Sequence, residues 1–177
     1  IAFSYDRNAA YEYTTRNCES HNISYPYILH GDGANFVSQV VYYAGGSQQN
    51  DDWNSTITVS PDGLTNSFIY EMRGVFTLSW IRVVDLTSYL LQNNIAKICP
   101  LEELQKGDLI MYTSQDGTGH QSVVVINPDP NNPEIAYHSR DETKCNYIQP
   151  CNNCNGTHSL FTAENYTFQG LCIINNQ

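Results

Sequence analysis

The chain is poor in charge, and poorest in positive charge. Eight Lys and Arg stand against eighteen Asp and Glu, a net charge of −10, and charged residues make up only 15% of the 177. Proteins that grip nucleic acid or an anionic membrane do so through basic patches, so this balance argues against both partners. Long apolar runs are missing too, and none approaches the roughly 18 residues of a membrane span. Internal repeats and low-complexity blocks are absent. What is there is globular: 41% hydrophobic and 12% aromatic, with thirteen tyrosines, enough apolar material for one domain across residues 1–177. The sequence starts at Ile1 and not at Met, which suggests a removed leader.

Cysteine, by contrast, is present in an even number: Cys18, Cys99, Cys145, Cys151, Cys154 and Cys172. That is the count of a secreted domain whose cysteines are all in disulfides. Sequons at Asn22, Asn54, Asn155 and Asn165 permit N-linked glycans, although so Asn-rich a chain would show some by chance. Together these features suggest an extracellular location. The segment 142–158 holds Cys145, Cys151, Cys154 and His158. Three Cys and one His is a conceivable zinc set, but an oxidising compartment favours disulfides that staple this weakly apolar stretch.

Helices come first and strands follow. Asp6 is a plausible cap for a helix over 5–17, and apolar spacing marks helices at about 33–44 and 79–94. Residues 47–79 read as irregular, with a turn at Pro61-Asp62-Gly63. Strands are expected from about Asp108, over 120–127, over 134–140 and over 166–175. The class is therefore α+β, with N-terminal helices packed on an antiparallel sheet. Gly45 and Gly46 read as a helix end, and Trp53 and Trp80 as core in preference to a sugar-stacking surface.

The segments "YDRNAAYEYTTR", "GDGANFVSQVVYYAGG", "SWIRVVDLTSYLLQNN", "GDLIMYT", "GHQSVVVI" and "IAYHSRDE" resemble, in order, those of the putative amidase domain family. These small domains are similar to NlpC/P60 and papain-like cysteine hydrolases, and the resemblance covers about residues 5–141. It implies a papain-like fold with a nucleophilic Cys at the position of Gly33 and a His at the position of His120. A thiolate at a helix N-terminus is favoured by the helix dipole, and an imidazole beside it moves the proton. A third polar group orients that imidazole. If strands 120–127 and 134–141 form a hairpin centred on Asn131, His120 faces Asp141; a one-residue slip turns His138 toward the site instead.

Glycine supplies no nucleophile. Ser38 lies too far into the helix to replace one, and Asp32 acting through water would be different chemistry. The resemblance therefore implies a pseudoenzyme that needs no cofactor. Its role would be binding or structural assembly, through self-association or an extracellular protein or carbohydrate partner. The alternative is a cysteine amidase or peptidase of cell-wall peptides captured without its nucleophile, which a Cys codon at position 33 of the gene would reveal.

Overall fold

Asp6 opens the first helix as its spacing predicts. Its carboxylate accepts from the backbone N–H groups of Asn8 and Ala9 at 2.9 and 3.0 Å, satisfying donors a helix start leaves unpaired. The computed structural model describes residues 4–28, 31–45, 47–57, 74–118, 120–130, 133–138, 143–148 and 166–175. Helix α1 (Arg7–Asn17) leads through a loop to α2 (Gly33–Tyr43), where every residue from Gly33 to Val41 is buried. A helix buried on all sides sits inside the domain. The start of α1 is tied to the end of α2 by Asp6 N–H donating to the Ala44 carbonyl. Gly45, at φ +80°, ends α2 in the left-handed conformation glycine tolerates best.

The expected third helix is broken in two, α3 (Leu78–Ile81) and α4 (Val83–Gln92). Arg82 between them is extended, at φ −115° and ψ 129°. The break lets two apolar groups face the core from different axes: Trp80 on α3, and Leu86 and Leu90 on α4, all fully buried. Trp53 is buried against Trp80, ring centroids 4.6 Å apart, so both tryptophans are core.

Six antiparallel strands form the main sheet: β3 (Ala96–Cys99), β4 (Leu109–Ser114), β5 (His120–Asn127), β6 (Glu134–His138), β7 (Thr143–Ile148) and β8 (Tyr166–Ile173). Their order is β3-β8-β4-β5-β6-β7. Two short strands, β1 (Ser55–Ile57) and β2 (Gly74–Phe76), pair separately, inside the stretch expected to be irregular. Alternation divides the side chains of the large sheet. Met111, Val124, Ala136 and Leu171 join the helical core. Ile110, Val123, Val125 and Ile135 form a second cluster on the opposite face.

The β5–β6 hairpin corrects the expected register. Asn127 pairs with Glu134 as the centring on Asn131 requires, but a bulge between Val125 and Asn127 then shifts the ladder. Beyond it Val124 pairs with Ala136 and Val125 with Ile135. Carried two residues beyond the Val124–Ala136 pair, this register sets Ser122 across from His138. One extra residue in a strand moves every later side chain by one place.

The Cys99–Cys172 disulfide, Cα atoms 5.8 Å apart, cross-links β3 and β8. Cys18 is also disulfide-bonded, and among the described residues no cysteine is free. Cys151, Cys154, Asn155, His158, Asn165 and Asp141 lie outside the described residues, as do Gly46, the turn at 61–63 and the side chain of Cys145.

Candidate functional site

The polar residues of α2 are buried, and each has a structural partner. Asn35 donates from Nδ2 to the Pro26 carbonyl (2.7 Å) and to Asp32 Oδ1 (2.8 Å), and accepts from Trp80 Nε1 (2.9 Å). Ser38 Oγ donates to the Trp80 carbonyl at 2.8 Å, and Gln39 accepts from the Tyr13 hydroxyl at 2.7 Å. An unsatisfied buried polar group is expensive, so the "NFVSQ" segment fixes how α1, the loop and α3 dock on α2. Ser38, held at Trp80, takes no part at the helix N-terminus.

That N-terminus is Gly33, and the space a side chain would take there is filled. A Cβ on residue 33 would lie 2.6 Å from Gln121 Nε2 and 3.0 Å from the His138 carbonyl oxygen. Gln121 is held in place by hydrogen bonds from Nε2 to the carbonyls of His138 (2.8 Å) and Ser122 (3.0 Å). Gln121 was not among the residues the sequence singled out, because a buried amide at a strand start carries no periodic signal.

Immediately beside Gly33 lies a buried carboxylate with two imidazoles. Asp32 is 1% exposed. Its Oδ2 is 2.7 Å from His138 Nδ1 and 3.2 Å from His21 Nδ1, while Oδ1 accepts from Ile28 N–H and Asn35 Nδ2. Burial alone would raise the Asp32 pKa. Hydrogen bonds with His138, His21 and Asn35, together with the His138 charge, outweigh it and hold the carboxyl below its usual value. His138 is itself buried, stacked on Phe36 at 4.0 Å between ring centroids, and its Nε2 donates to the Asn17 carbonyl at 3.0 Å. One ligand atom each from His21, Asp32 and His138 falls within 4.8 Å of the others, so these residues could hold a metal ion.

His120 stands apart from this cluster. It is exposed, with Nδ1 3.3 Å from Thr113 Oγ1. It lines a groove of about 350 Å³ between α4 (Val83, Val84, Thr87) and the sheet (Met111, Thr113, Phe168). The structure thus brings Gly33 together with His138 and Gln121. The observed register carries His138 to the end of α2; Asp141, the other alternative for the third polar group, lies outside the described residues.

The sequon asparagines Asn22 and Asn54 are half-buried and already use their amide nitrogens. Asn22 Nδ2 donates to the Tyr13 hydroxyl and Asn54 Nδ2 to the Asn50 carbonyl. No described helix is long and apolar enough to cross a membrane.

No curated protein and no solved structure matches the chain. A family model described as "Putative amidase domain" does, over residues 4–161. That match takes in α1, α2, the Asp32–His138 pair and β5. The chain belongs to the Putative amidase domain family.

Proposed function

We propose that this is a non-hydrolytic member of its family, a secreted, disulfide-bonded domain of papain-like and NlpC/P60-like descent that works by binding or assembly. The observation that carries the reading is the packing at Gly33. The position where the family resemblance implies a cysteine lacks a side chain, and Gln121 Nε2 lies 2.6 Å from where one would begin. Cysteine hydrolysis requires a thiolate, an imidazole to move its proton and room for the scissile carbonyl between them. Here the thiol is missing and an amide is anchored in its place.

The Cys99–Cys172 bridge supports an extracellular setting, and glycans at Asn22, Asn54, Asn155 and Asn165 belong to the same reading. Attachment at Asn22 or Asn54 would have to displace the hydrogen bond each amide makes, so Asn155 is the favoured position among the four. Self-association or an extracellular protein or carbohydrate partner would use exposed aromatics such as Tyr11, Tyr42 and Tyr43, which bury large area at low entropic cost.

The experiment compares the native protein, Gly33→Cys and Gly33→Cys with Gln121→Ala for hydrolysis of amide substrates and for alkylation by iodoacetamide. The native chain should show no turnover. The single variant should alkylate no faster than a free thiol, and removal of Gln121 should increase the rate. Turnover by the native chain that His120→Ala abolishes would overturn the reading.

A further inference from the structure

The geometry points to a site for a divalent transition cation of the zinc class, formed by His21, Asp32 and His138. The inference stands apart from the question of hydrolysis, because it rests on these side chains and its test reads metal alone.

His138 Nε2 faces the Asn17 carbonyl at 3.0 Å, and a carbonyl only accepts, so Nε2 carries a hydrogen. Neutral imidazole then has a bare lone pair at Nδ1, yet Nδ1 is 2.7 Å from Asp32 Oδ2. Two lone pairs do not face each other at that distance without a positive centre between them. At 2.7 Å, a hydrogen-bond length, that centre is a shared proton, whose place a cation would take once the two side chains draw apart. A second ring nitrogen, His21 Nδ1, approaches the same carboxylate oxygen at 3.2 Å, as a second ligand would.

The surroundings are those of a ligand set. Metal-bound histidines donate their other ring N–H to a carbonyl or carboxylate, which fixes tautomer and ring orientation. His138 does this with Asn17. Ligating carboxylates are hydrogen-bonded on their remaining oxygen, and Asp32 Oδ1 accepts from Ile28 N–H and Asn35 Nδ2, which leaves Oδ2 to the imidazoles. Nitrogen and oxygen ligands at 2.0–2.2 Å in a tetrahedron lie about 3.3–3.6 Å from one another. The observed separations reach that by side-chain shifts on the order of an ångström. His21 is 37% exposed, so a fourth position opens toward solvent on its side. A bound ion would fasten the loop between α1 and α2 to the end of β6.

The test uses the full chain with its disulfides intact, stripped with chelator and titrated with zinc chloride by calorimetry. One equivalent should bind saturably and raise the melting temperature, as any ligand of the folded state does. His21→Ala removes an exposed ligand, and affinity should fall by at least about tenfold, the scale on which even supporting residues act. X-ray absorption of the zinc-loaded native chain needs no variant and should show imidazole and oxygen scatterers near 2.0–2.2 Å. Absence of saturable binding would overturn the site. Unchanged affinity in His21→Ala, or a sulfur shell at about 2.3 Å, would overturn it in favour of a thiol elsewhere.

Discussion

His138 and His120 sit on neighbouring strands, and their surroundings are opposite. His138 is 2% exposed, stacked on Phe36 and hydrogen-bonded at both ring nitrogens. His120 is exposed and faces an open groove with Thr113 as its partner. The family resemblance marks the exposed residue for chemistry, whereas the fold's polar organisation gathers around the buried one. A motif position and an organised site are therefore separate things in this chain. The second needs burial, partners and the end of α2.

Substitutions can break that contrast. The largest effect is expected from His138→Ala, which leaves the Asp32 carboxylate buried without its closest partner. Losing one member of a buried pair costs about 3–5 kcal/mol, read as a lowered urea midpoint or as loss of soluble protein. A loss below about 1 kcal/mol would put His138 on a par with a surface residue. Asn35→Ala comes next, since it strips the partner from Trp80 Nε1 and one from the Pro26 carbonyl. An orphaned buried group costs about 1–3 kcal/mol, and near-UV circular dichroism should report the disturbed tryptophan.

Gly33→Ala should cost about 1–3 kcal/mol, the range for overpacking, because its Cβ would meet Gln121. Adding Gln121→Ala should return part of that loss, a coupling above about 0.5 kcal/mol in a double-mutant cycle. Strict additivity would mean that the Gln121 amide moves aside without strain. His120→Ala should change stability by no more than about 0.5 kcal/mol. A larger destabilisation there would erase the distinction between the two histidines.

Much of this organisation is legible from the residues. Asp6 as a cap, the span of α2, the limits of β5 and the α+β class follow from spacing and composition. Other features depend on tertiary fit. "SWIRVVDLTSYLLQNN" is helical in pattern throughout, and the break at Arg82 answers the need to bury Trp80 and Leu86 along different axes. β3 and the β1–β2 pair are too short for alternation to declare them. The bulge near Ile126 decides whether His138 reaches the site, and the continuous apolar run Val123-Val124-Val125-Ile126 gives no sign of it. His21 lies in a loop with no periodicity, and only folding brings it to Asp32.

The position of β8 in the sheet governs the order in which this protein can be assembled. It is last among the described strands in sequence, yet it lies between β3 and β4 and pairs with both. The β4–β5–β6 meander can form from local contacts, but among the described strands β3 has no neighbour until residues 166–173 arrive. Nor can α1 settle fully. Arg7 donates to the Ile173 carbonyl and to Asp108, and Asp108 in turn accepts from Ile173 N–H. A chain emerging from the ribosome must therefore keep α1 waiting for β8, with the β3 and β4 edges bare in the interval. Such edges invite pairing with other chains, so the period before β8 docks is when this protein is most exposed to aggregation.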